Sequence, residues 1–244
     1  MRLKSATYLS PVQNRFFHAT WAWLAAHSNL GFERDPSEAL DDPDVLFMCG
    51  LPTGRETDRF DPLVAPVLAR QRYGGRAIYF SDVVVRRGSS GPPQPSWTIA
   101  YNDRNSFSGW IAPRAGLAAL GLDPSALTWI ATGSHMDSLE AVLTGGADAA
   151  GIDSMVMDLV DGDAIPTDAL VTIESFGPWP APPISTRAGL DQSVRDELAG
   201  TLSRMHEDAA GVRVLSSWGV ELLAPVDAAD YRRLAQFAET TGSP

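Results

Sequence analysis

Ser106 and Ser108 close a polar turn, Asn102-Asp103-Arg104-Asn105, that separates a β-rich run, Trp97–Tyr101, from a helix-like apolar run, Gly109–Leu120. Small hydroxyls at that position have a defined chemical use. The first N–H groups of a helix lack intrahelical acceptors and sit at the positive end of its dipole, so that hydroxyls beside them complete a seat for an oxyanion. The same residue types also make an ordinary helix N-cap. These residues alone support both readings.

Other chemistries lack their parts. There is no Gly-x-Ser-x-Gly elbow for a serine nucleophile, and no phosphate-binding or dinucleotide fingerprint. Ser106, His135 and Asp153 have the types of a hydrolytic triad, but nothing in their spacing brings them together. The four histidines, His18, His27, His135 and His206, are scattered rather than clustered as metal ligands are. No catalytic residue, metal or cofactor is therefore assigned. The formal net charge of −11 over 244 residues argues against nucleic acid and against an anionic membrane surface. It leaves room for a small anion held by amides and hydroxyls. The single cysteine, Cys49, excludes an intramolecular disulfide and reads as buried and inert. No apolar run has the length of a membrane-spanning helix, so direct membrane insertion is not expected. Met1-Arg2-Leu3-Lys4 leads into a strand-like stretch rather than an apolar signal core. The sequence as given thus reads as cytoplasmic, or as periplasmic or extracytoplasmic if an export signal has been removed.

The elements that would position these residues follow from periodicity. Leu3–Leu9 reads as a strand, Val12–His27 as a helix, Leu30–Arg34 as a short extended piece and Asp44–Met48 as an apolar strand. Ala77–Val85, Trp97–Tyr101, Leu127–Ala131, Ala147–Ile152 and Ala169–Glu174 read as strands. Helices are expected at Gly109–Leu120, Asp137–Thr144 and Ser154–Val160, so the middle of the chain alternates like a parallel-sheet lobe. Phe176–Pro183 is Pro-rich and is expected as a loop. Asp191–His206, capped by Asp191, and Ala228–Ala238, capped by Asp227, close the chain as helices. The pattern is that of two α/β lobes: residues 1–75 with 177–244, and an inserted lobe of residues 76–176. Ligands of such folds sit outside strand carboxyl ends, and often between lobes.

Several segments, in order, resemble one family. Asn102-Asp103-Arg104-Asn105-Ser106-Phe107-Ser108-Gly109 resembles the NDPNSxSG signature of the phosphonate-type solute-binding proteins of ABC transporters. Gly133 to Val142 resembles that family's GSHxxSIxAV segment, and Gly146 to Asp153 its GxADxAAID segment. Tyr79-Phe80-Ser81 resembles the YxS at the entry to the second lobe, and Leu190–His206 with Pro225–Tyr231 resembles the C-terminal region. The resemblance implies a two-lobed, type 2 periplasmic-binding-protein-like α/β fold with a ligand cleft between the lobes. It implies a small oxyanionic ligand, phosphonate- or phosphate-ester-like, and an ABC permease as partner. The ligand contacts it implies are Ser106, Phe107, Ser108, Tyr79, Ser81, His135 and Asp153. Tyr8, Ser10 and Gln13, with Cys49, Gly50 and Leu51, would face the ligand from the first lobe. The family often has Thr between the two serines. Phe107 stands there in this chain, one hydroxyl donor fewer, and with Trp110 it suggests a ligand with an organic arm.

The resemblance favours a binder over an enzyme. Cytosolic biosynthetic enzymes of the menaquinone and thiamine pathways share this fold and remain an alternative, as does a cytosolic ligand sensor.

Overall fold

The computed structural model describes residues 2–9, 11–33, 42–89, 93–159 and 165–241. Its backbone divides into two compact units, Met1–Ile78 with Pro180–Gln236, and Tyr79–Trp179 with Phe237–Pro244. In chain order the elements are β1 (Arg2–Leu3), β2 (Ser5–Thr7), α1 (Pro11–His27), β3 (Gly31–Phe32), β4 (Val45–Phe47), α2 (Gly50–Arg55) and β5 (Phe60–Leu68). The second unit holds β6 (Ile78–Arg86), β7 (Thr98–Tyr101), α3 (Ala112–Ala119), β8 (Thr128–Ala131), α4 (His135–Thr144), β9 (Ala149–Asp153), α5 (Ser154–Leu159) and β10 (Leu170–Pro180). The chain then continues with β11 (Ile184–Arg187), α6 (Gln192–Ser203), α7 (Ala209–Ser217), β12 (Val220–Pro225) and α8 (Ala228–Thr240).

The first unit is built on a sheet of order β12-β5-β11-β4-β2, in which β2 and β4 run parallel and the other pairings are antiparallel. Its core is aromatic. Phe17 of α1 stacks on Phe47 of β4 with ring centroids 5.5 Å apart, and Phe16 meets the same ring edge-on at 6.1 Å. Trp21 sets its edge on Phe32 at 4.8 Å. These rings project at i, i+1 and i+5 of α1, the spacing of a helix face turned to a sheet. Tyr231 of α8 is fully buried and donates its hydroxyl to the Ala181 carbonyl at 2.8 Å.

The second unit has the order β10-β6-β9-β7-β8. Here β7 is parallel to β8 and β9, but β6 runs antiparallel to β9, with Ser81 opposite Asp153. The sheet is mixed, not wholly parallel as expected. Its strands are apolar on consecutive residues because both faces are covered. Val84, Ala100 and Ala150 pack with Leu139 and Val142 of α4, whereas Val83, Val85, Ile99 and Ala149 pack with Leu117 of α3. The carboxyl ends of β7, β8 and β9 share one edge, and α3, α4 and α5 start from it.

Several sequence expectations shift. The strand expected over Leu3–Leu9 is two short pieces interrupted at Lys4. β10 runs on through Pro178 and Pro180, where a loop was expected over Phe176–Pro183. It is the terminal strand of its sheet, and an edge strand tolerates prolines because their missing N–H groups face no neighbour. The helix expected over Asp191–His206 ends at Ser203, and a short 3₁₀ turn, Met205–Glu207, leads into α7. Phe237 onward groups with the second unit, whereas 177–244 was expected wholly in the first. The expected caps form: Asp191 accepts from Ser193 N–H and Asp227 from Ala229 N–H, both at 2.8 Å. Arg34 and Val160, at the ends of two expected elements, lie outside the described residues.

Gly54 of α2 lies against α8 so closely that a Cβ there would stand 2.0 Å from the Tyr231 carbonyl oxygen. Backbone cannot move aside as a flexible side chain can. Gly54→Ala is expected to destabilise the protein by about 2 kcal/mol or more, read as a lower urea midpoint with an unchanged slope.

Candidate functional site

The turn after β7 folds back on itself before any helix begins. Asn105 N–H donates to Asp103 Oδ1 at 2.6 Å, and Ser106 N–H to the Asp103 carbonyl at 3.0 Å. Ser106 is then the N-cap: its backbone is extended and its Oγ accepts from Gly109 N–H at 3.0 Å. The first turn, Phe107–Ile111, is wound as a π-helix and passes directly into α3. The N–H groups of Phe107 and Ser108, in that first turn, have no intrahelical acceptor. The helix thus starts two residues earlier than the apolar pattern indicates. The Gly109 amide is spent on the cap.

Glycines allow this turn to sit low on the sheet. A Cβ on Gly151 of β9 would lie 2.6 Å from Pro113 Cγ and 2.8 Å from the Gly109 carbonyl oxygen. A Cβ on Gly109 would strike Asn102 Oδ1 at 1.9 Å. That Asn102 oxygen is buried and accepts no hydrogen bond.

Around the turn the sheet edge gathers four more of the expected residues. Ser81 Oγ donates to the Ser108 carbonyl at 2.6 Å, fully buried, which ties β6 to the π-turn. Ser108 Oγ lies 3.3 Å from His135 Nε2, the first residue of α4. Asp153, at the end of β9, accepts from Met155 N–H at 2.8 Å and holds the start of α5. Tyr79 is buried beside them in β6. Ser106 and Ser108 are themselves buried, 8% and 5% exposed, so a hydroxyl proton there finds little competing water.

His135 is charged only at acid pH. Burial pulls its pKa from 6.5 down to about 4, opposed weakly by the Gly151 carbonyl, and Nδ1 makes no hydrogen bond of normal geometry. At neutral pH the ring is uncharged. The contact with Ser108 can then be made with either group as donor, so Ser108 can turn its own proton outward.

Phe107 and Trp110 point elsewhere than expected. Phe107 is buried against Trp179, at 4.7 Å between centroids, and Phe237, at 6.0 Å. Trp110 is packed by Tyr101 at 4.4 Å and Trp129 at 5.2 Å, with the Arg114 guanidinium 4.4 Å over its ring. Both rings are packed by the unit's own side chains.

In the first unit, Tyr8 is 46% exposed and lines a cavity of about 300 Å³ with Leu46, Met48, Cys49 and Phe60. Cys49 is half-buried rather than fully buried, and it precedes α2 without making a side-chain cap. Gly50 packs on Tyr231 and Leu234, Leu51 is in the core and Gln13 is buried. Ser10 lies outside the described residues. The sequence reading missed two supporting residues. Ser154 Oγ accepts from Phe80 N–H at 2.9 Å, and Asn102 sits under Gly109. Only the adjacency of Ser154 to Asp153, and the place of Asn102 at the head of the turn, could have signalled them. Among the described residues no group of three or more His, Cys, Asp or Glu could hold a metal ion.

A family described as the periplasmic substrate-binding protein of phosphonate ABC transporters matches residues 40–231. No sequence among curated proteins matches the chain. Among solved structures, PhnD1 from Prochlorococcus marinus in complex with methylphosphonate superposes with a TM-score of 0.77 at 14% identity, over 98% of this chain and 97% of that one. A binding protein component of an ABC phosphonate transporter from Pseudomonas aeruginosa also gives 0.77, at 16% identity, over 98% and 88%. A Xanthomonas citri protein, XAC2383, bound to ATP, gives 0.65 at 17% identity, over 99% and 97%. At these identities the likeness is one of fold, that of the two-lobed periplasmic binding proteins.

The depressed His135 pKa makes stability depend on pH. Between about 4 and 6.5 the unfolded chain takes up a proton that the folded one refuses. Stability therefore falls as pH is lowered through that window, by an amount on the order of 3 kcal/mol. In His135→Gln this component should disappear. Urea midpoints at pH 7 and pH 4.5 check it, and an equal loss in variant and parent would contradict it.

Proposed function

The chain belongs to the periplasmic substrate-binding proteins of phosphonate ABC transporters, and from that membership we propose that it binds a small phosphonate-like oxyanion at Ser106 and Ser108. The observation that carries the reading is the pair of buried hydroxyls at a helix start whose first-turn N–H groups lack intrahelical acceptors. Such a site holds negative charge with neutral donors, which suits a chain of net charge −11. The donors are the Ser106 hydroxyl, whose proton remains available while its oxygen caps Gly109, the Ser108 hydroxyl, and the amides of Phe107 and Ser108. Neutral His135 sets the direction of the Ser108 hydroxyl. Ser81 and Asp153 are positioning residues. Ser81 is committed to the Ser108 carbonyl and Asp153 to the start of α5.

In this reading the protein carries its ligand outside the cytoplasm to an ABC permease. Among the described residues no helix is long and apolar enough to cross a membrane.

Replacing both Ser106 and Ser108 with Ala removes two buried donors to an anion. Affinity for methylphosphonate or inorganic phosphate, whichever binds the parent, should fall about a hundredfold or more, since each lost donor costs about 1–3 kcal/mol. Isothermal titration calorimetry measures this. Retained affinity in a folded variant would place the anion elsewhere. Ligand recovered unaltered after prolonged incubation distinguishes carriage from catalysis.

A further inference from the structure

A second concavity in the same unit carries no part of the anion site. It encloses about 680 Å³, within the range of small-molecule sites. One wall is the small-residue face of α3, including Ala115, Gly116 and Ala118. The other is the edge strand β10 at Phe176 and Trp179, with Phe237 from the end of α8. Ser106, Ser108, His135 and Asp153 do not line it.

Its lining is mostly apolar, with one charged group, Arg114, among it. Arg114 lines the wall, its guanidinium stacked on Trp110 and 5.3 Å from the Trp129 ring centroid. No carboxylate of the described residues comes within ion-pair reach of it. Asp123 acts on it only at longer range, and the Arg104 charge opposes it. An apolar trough with one cation that has no carboxylate partner is complementary to a molecule with an apolar body and a single anionic head.

We infer that this trough binds a small aryl or branched-alkyl acid, its body between α3 and β10 and its acid group toward Arg114. This site is separate from the oxyanion seat and does not depend on what binds there.

The probe is 1-anilinonaphthalene-8-sulfonate, followed by its fluorescence with the folded protein. Saturable binding is expected, weakened about tenfold in Arg114→Gln and abolished by filling the trough with Ala118→Phe or Ala115→Trp. N-phenyl-1-naphthylamine, the same body without the acid, should bind about tenfold more weakly than the sulfonate. Cooperative thermal unfolding shows which variants are folded. Ser106→Ala/Ser108→Ala should leave probe binding unchanged, which separates this site from the first. The inference is overturned by the absence of saturable binding, by equal affinity in a folded trough-filling variant, by equal affinity for the neutral analogue, or by self-association of the chain that competes with the probe.

Discussion

A strand and a helix start approach each other at Gly151 more closely than any side chain would allow. With no Cβ there, the Gly109 carbonyl and the Pro113 ring settle directly on β9. The depth of that contact sets the position of everything on the edge. It brings the Ser108 carbonyl down to the Ser81 hydroxyl and the Ser108 side chain across to His135. The first turn beside it is wound as a π-helix, with Ser106 as its cap. A larger residue at 151 would lift the helix and separate the two hydroxyls from the sheet edge that holds them.

The proposed anion site is polar without being basic. Its donors are hydroxyls and amides, and its histidine is kept neutral by burial. Neutral donors impose no charge that must be desolvated when the site is empty, whereas a buried lysine or arginine would. The acidic surface of the chain then repels anions only at long range, where salt screens it. In the proposed site selectivity would fall to short-range geometry, meaning how many oxygens reach how many donors. Phe107 is turned into the aromatic cluster with Trp179 and Phe237.

That cluster gives the helix start a second role. The ring of Phe107 forms one member of an aromatic group whose other members border the apolar trough between α3 and β10. The first unit shows the same economy, since Phe47 of β4 is stacked by Phe17 and edged by Phe16 just before Cys49 and the start of α2.

Much was legible in the residues themselves because it is decided locally. Asp191 and Asp227 act as caps where their types and the following periodicity place them, since a cap needs only its own next three residues. The buried strands of the second unit are visible as apolar runs for the same reason. The ordered motifs around Ser106, His135 and Asp153 mark the edge where helices start. What the tertiary structure alone decided concerns groups with two local options. Ser81 could have faced a ligand; only the packing of β6 beside the π-turn gives its proton to the Ser108 carbonyl. Phe107 could have lined a pocket, and only Trp179 and Phe237, distant in sequence, turn it inward. The prolines of β10 read as a loop until the strand is known to be at a sheet edge, and the direction of β6 against β9 has no signature in either strand. Local propensity selects the elements, but a hydrogen bond or a ring contact goes to whichever partner the folded chain brings within reach.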